Sequence, residues 1–125
     1  MGAASSVSLN NVYISKGSPN KYIKMLLDKL QTLDCSFNEY SIQQSNFIII
    51  CISQDTIRTQ SQVAEINYAW DSKKPIIYIM TNKNYTPLCN PELNSIIKND
   101  RWISCFDEKS VDGSFAQISY LLERN

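Results

Sequence analysis

No histidine occurs among the 125 residues. That absence excludes Ser-His-Asp and Cys-His catalysis and removes the commonest metal ligand, so any chemistry must rest on carboxylates, hydroxyls, thiols or amines. Net charge is also missing: 12 basic and 12 acidic residues cancel, and the basic footprint with which proteins hold nucleic acid is not there. No apolar stretch approaches the length of a membrane span and no secretory signal precedes the first predicted element, so a cytoplasmic protein is expected. Cys35, Cys51, Cys89 and Cys105 are widely spaced with no Cys-x-x-Cys pair. Buried reduced thiols are therefore expected, with neither a disulfide framework nor a zinc or other metal site.

What is present fits one domain. At 43% hydrophobic and 19% charged residues the chain can bury a core, and residues 11–125 are read as a single folded unit behind a flexible leader at residues 1–10. The leader opens Met1-Gly2-Ala3-Ala4-Ser5-Ser6, which fits the N-myristoylation pattern with Gly2 as the acyl acceptor. No adjacent cysteine or polybasic run supplies a second signal, so attachment through Gly2 is expected to be weak and reversible, at the cytosolic face of a membrane.

The richest stretch runs from Ser45 to Met80. Two continuous apolar runs, Phe47 to Ile52 and Ile76 to Met80, read as buried parallel strands joined by a crossover helix from Gln62 to about Ser72 with Ser61 as its cap. This puts Glu65 in the first turn of that helix, at the carboxyl ends of the strands where parallel sheets bind ligands. Val12 to Ser15 reads as the first strand, and Ser18-Pro19 as the start of an amphipathic helix carrying Tyr22, Ile23, Leu26, Leu27, Leu30 and Leu33. Ser36-Phe37-Asn38-Glu39 has the capping-box pattern and predicts a second short helix to about Ser45; a strand from Ser36 to Tyr40 is the rival reading. Asn90-Pro91 starts another short helix, Trp102 to Phe106 is the last strand, and Asp112 caps a terminal helix with Phe115, Ile118, Leu121 and Leu122 inward. The alternation predicts an α/β fold, a three-layer flavodoxin-like sandwich around a mostly parallel sheet of four to five strands.

The order of these segments resembles a TIR domain, the Toll/interleukin-1 receptor homology module. Val12-Tyr13-Ile14-Ser15 resembles the opening strand of that family, Ser45 to Ser53 its central strand, Ser61 to Ala69 (SQVAEINYA) the start of its glutamate-bearing helix, Lys74 to Met80 its fourth strand, and Asn84-Tyr85-Thr86-Pro87 its Y-x-P segment. Two departures stand out. Gln62 occupies the place of the usual cysteine three residues before the glutamate, with no tryptophan beside it, and the chain lacks the residues for a full second strand, its following loop and its helix.

The resemblance implies two functions. One is a signalling module, an adaptor or a decoy that binds other TIR domains or itself. The other is cleavage of the nicotinamide glycosidic bond of NAD, with NAD as substrate and no cofactor. For the second, the resemblance makes Glu65 the candidate catalytic carboxylate and Ser15, Lys16, Gly17, Ser53 and Trp70 the candidate substrate contacts. Each has a plainer account: helix electrostatics worth about 0.3–1 kcal/mol for an acid in a first turn, a solvated loop charge for Lys16, core or interface packing for Trp70. The missing loop removes one wall of an NAD cleft, which favours the interaction module. A third reading, a nucleoside deoxyribosyltransferase-like or nucleotide-binding protein, draws on a similar E-I-x-Y-A context, but Thr59-Gln60-Ser61-Gln62 replaces the aspartate and glycine usual there.

Overall fold

The computed structural model describes residues 10–17, 20–53, 60–81 and 102–124. Gly2 and most of the leader, Ser18 and Pro19, the Y-x-P segment and the helix expected from Asn90 lie outside the described residues. Five strands, β1 (Asn11–Ser15), β2 (Ser36–Phe37), β3 (Phe47–Ile52), β4 (Ile76–Met80) and β5 (Trp102–Ser104), form one sheet in the order β2-β1-β3-β4-β5 with every pairing parallel. Among the described residues three helices, α1 (Lys21–Leu30), α2 (Gln60–Ser72) and α3 (Glu108–Arg124), flank it. The flavodoxin-like α/β sandwich is the observed fold, and none of the described helices is long and apolar enough to cross a membrane.

The pattern of β3 explains the layering. All six of its residues are buried, because alternate side chains enter opposite cores. Phe47, Ile49 and Cys51 pack with Ile23, Leu26 and Leu30 of α1 and Val111, Ile118 and Leu122 of α3. Ile48, Ile50 and Ile52 pack with Ile66 and Ala69 of α2. Tyr13 of β1 joins this second core, so β1 shows α2 its odd-numbered residues.

The structure corrects several expectations. The second short helix from Ser36 to Ser45 does not form; Ser36 and Phe37 pair with Asn11 and Val12 instead. Asn38 decides the matter: at φ 55° it leaves the helical region, and its side chain accepts from the Ile14 amide at 2.6 Å and donates to the Ile14 carbonyl at 3.3 Å, extending the ladder by one side-chain amide. Residues 38–46 then cross to β3 through turns alone, held by Lys74, whose Nζ donates to the carbonyls of Ile42 (3.1 Å) and Gln43 (2.7 Å) and to the Tyr68 hydroxyl (3.1 Å).

Helix starts move as well. The cap of α1 is Asn20 rather than Ser18: its Oδ1 accepts from the Ile23 amide at 2.8 Å while Nδ2 donates to the Thr81 carbonyl at 3.1 Å. Asp112 lies inside α3, which starts at Glu108 behind a reciprocal pair: Asp107 Oδ1 accepts from the Ser110 amide at 2.8 Å, and Ser110 Oγ accepts from the Asp107 amide at 3.0 Å. Helix α2 begins at Gln60, so Ser61 is already helical and Glu65 stands in the second turn, with no acid in the first.

Candidate functional site

The chain leaves β1 toward β2 on one side and leaves β3 toward β4 on the other, so the carboxyl ends of β1 and β3 flank the topological switch point of the sheet. Ser15, Lys16 and Gly17 follow β1, Ser53 follows β3, and α2 packs over the same edge.

Gln62 closes this edge. It is 2% exposed, and its Nε2 donates to the carbonyls of Cys51 at 2.7 Å and Ser15 at 3.4 Å. One side chain of α2 thus satisfies a carbonyl at the carboxyl end of each of two neighbouring strands, which a cysteine thiol at this position is too short and too weak a donor to do. The loop after β1 has to turn away beneath it. Gly17 does so at φ +60°, and a Cβ there would lie 2.8 Å from Gln62 Oε1.

Three residues further along α2, on the same helix face, Glu65 reaches back to β1. Ser15 Oγ donates to its Oε1 at 2.7 Å, and the Tyr13 hydroxyl donates to its Oε2. Ser15 is buried, while Tyr13 and Glu65 are half-buried. The hydrogen bond to Glu65 is the main cause that pushes the Tyr13 phenol up to about 12, followed by burial and the carboxylate's charge. No cation balances the acid among the described residues, whose one ion pair joins Lys29 and Asp112 on the far face. The carboxylate is therefore held by two neutral donors, one on each oxygen.

Of the residues singled out from sequence, Ser15 and Glu65 are in direct contact, and Lys16 and Gly17 are exposed next to them. Ser53 closes β3 on the same edge, half-buried. Trp70 is elsewhere. It follows Glu65 by five residues, about 140° round the helix, is 43% exposed, and lines a shallow cavity of about 580 Å³ with Lys73, Lys74, Pro75 and Ile76 where α2 enters β4. That cavity lies at the opposite end of the strands from Ser15, away from the carboxylate and its two hydroxyl donors. Tyr68 has a structural role, its hydroxyl and ring both engaged by Lys74. Among the described residues no group of three or more cysteine or acidic side chains is arranged to hold a metal ion.

Sequence reasoning missed Tyr13 and the part played by Gln62. The signal for Tyr13 was available: it is two residues from Ser15 on a strand, hence on the same face.

Comparison with known families agrees with the geometry. The model of the family described as Thoeris protein ThsB, TIR-like domain, matches residues 5–86, a span that runs from before β1 past β4 and contains every residue of the site. No curated protein matches the chain.

Proposed function

The chain belongs to the Thoeris protein ThsB TIR-like domain family, and on that premise we propose that it is an NAD glycohydrolase that cleaves the nicotinamide glycosidic bond with Glu65. The observation that carries this reading is the carboxylate itself: an acid at the switch point, oriented by Tyr13 and Ser15 and lacking a cation among the described residues. An acid in the second turn of a helix is beyond the reach of a macrodipole explanation, which fades after the first turn.

The reaction suits a chain without histidine. In NAD the leaving nitrogen already bears positive charge, so the C1′–N bond breaks with its electron pair going to the ring, and neutral nicotinamide departs without a proton donor. The ribosyl fragment becomes an oxocarbenium ion, which a fixed carboxylate stabilises electrostatically. Water then adds at C1′ and loses a proton, giving ADP-ribose; attack by a group of the same ADP-ribose would give a cyclic product instead. Ser15, Lys16 and Gly17 would line one side of the bound dinucleotide, with Lys16 available to a phosphate, and Ser53 would line the other.

Nicotinamide release from NAD by the purified full-length chain, compared with Glu65→Ala, tests the proposal. Loss of one such electrostatic stabiliser is expected to lower turnover by about 10²–10³-fold. Turnover that survives the substitution unchanged would remove Glu65 from the mechanism.

One observation favours the interaction module as a second reading. Residues 38–46 contain no helix, so that crossover covers the Tyr13 side of the sheet with turns and the buried side chain of Ile42 in place of a packed helix. A crossover without a helix fits a module that binds other TIR domains or itself. Measuring turnover across a wide range of protein concentrations separates the two: an inactive chain that forms stable complexes with TIR domains supports the module, whereas Glu65-dependent turnover supports the enzyme.

A further inference from the structure

We propose that Tyr13 is a positioning residue for Glu65, holding the carboxylate in the one orientation from which it can face a ribosyl cation; this rests on the glycohydrolase reading and deepens it. On the α2 side of the sheet the strands contribute Ile48, Ile50 and Ile52 from β3 and Tyr78 and Met80 from β4, a packed layer. Tyr13 lies in register with Ile48, and Ser15 with Ile50. A β-branched aliphatic residue would continue that layer and suit a strand equally well. A phenol adds a donor at the end of a rigid ring, and here the donor lies on Glu65 Oε2.

Glu65 needs such a support. A glutamate has three rotatable side-chain bonds, and on the exposed flank of a helix it would spread over many rotamers. Ser15 alone fixes one oxygen and leaves the carboxylate free to swing about that bond. A second donor on the other oxygen removes the remaining freedom, so the two hydroxyls together set both the place and the plane of the group. Tyr13 packs against the core beneath α2, so its ring brings the hydroxyl to Glu65 from the strand side. The phenol stays protonated up to about 12, so the donor is present throughout the working pH range.

Tyr13→Phe keeps the ring and deletes the donor. Steady-state kinetics of the full-length variant with NAD are expected to show kcat lowered by about 10- to 100-fold, the loss typical of a hydrogen bond to a charged group. KM is expected to change by less than about threefold, since ribose, phosphate and adenine contacts remain. A thermal melt within a few degrees of the parent establishes that the variant is folded; if it is not, Tyr13→Trp and Ser15→Ala, read by the same kcat against KM split, replace it. Turnover that depends on Glu65 but is unchanged or raised in Tyr13→Phe overturns this inference alone, because the phenol would then be a bystander or a block. A parent chain with no turnover overturns the glycohydrolase reading, and the inference with it.

Discussion

Gln62 donates to the carbonyls of Cys51 and Ser15 from one buried amide, and the glycine beneath it has no room for a side chain. Two penalties meet at Gly17. A left-handed φ of +60° costs a non-glycine residue about 1–2 kcal/mol, and the added Cβ at 2.8 Å would push on an amide that cannot yield without giving up its hydrogen bonds. Gly17→Ala is therefore expected to destabilise by about 2 kcal/mol or more, read as a lower urea midpoint at constant slope. Gln62→Ala leaves two buried carbonyls without this donor and is expected to lose about 1–3 kcal/mol. In the double variant the amide is gone and the alanine at 17 has space, so the two losses should fall short of additive by more than about 0.5 kcal/mol. Strict additivity would mean the contact between them carries no energy. The same pair explains how this chain departs from the TIR pattern at position 62 and keeps the site: the glutamine replaces a cysteine with a longer donor that braces the edge on which Ser15 presents its hydroxyl to Glu65.

At the scale of elements, β3, β4 and the stripes of α1 and α3 were legible because each is a long, unambiguous period: buried runs for the strands, three- and four-residue spacing for the helices. The start of each helix was not. Ser61 and Asp112 are good caps by residue type, yet a cap is chosen by which turn the packed stripe lets begin, and the reciprocal pair Asp107 and Ser110 captures the start of α3 first. Strand β2 was legible only as the rival to a short helix, for a different reason. It has two residues, its pairing is owed to β1, and the capping-box letters Ser36 to Glu39 lose to the Asn38 side chain bonded across to Ile14. The meeting of Ser15 with Glu65 was readable because sheet order dictates it, whereas the Trp70 position depended on helix phase relative to the acid. Lys74 spends all three of its donors on residues 42 and 43 and on Tyr68, so Lys74→Met, which keeps most of the stem, is expected to cost about 1–2 kcal/mol. Amide hydrogen exchange should accelerate selectively in residues 41–46, with the β3 amides protected as before. Uniform acceleration through β3 would show that this crossover is part of the global unfolding unit and not pinned locally.

The whole molecule carries a pH signature that follows from what is absent and what is buried. With no histidine, no imidazole changes charge near neutrality, and stability is expected to be level between about pH 6 and 8. On the alkaline side the shifted groups all move the same way. Burial raises the Cys51 thiol from 9.0 to about 12, with the neighbouring Cys105 adding to the shift and Lys16 opposing it. Burial also raises Cys35 and Cys105. The bond to Glu65, then burial, raises Tyr13 from 10.0 to about 12. Each group thus keeps its proton in the folded chain at a pH where the unfolded chain has lost it. The unfolded state then binds fewer protons, so unfolding free energy falls as pH rises. The contribution is fully present below about pH 9, where both states are protonated, and is lost progressively toward pH 12. Thiols act first, between pH 9 and 10, and Tyr13 joins above 10. Urea midpoints measured from pH 7 to 10.5 should therefore be flat and then decline, with Cys51→Val reducing the decline between pH 9 and 10 and Tyr13→Phe reducing it only above 10. The opposite order, with the phenylalanine variant flattening the curve below pH 10 and the valine variant leaving it untouched, would mean the buried thiol is not the group that resists ionisation in the core between β3 and the α1 and α3 pair.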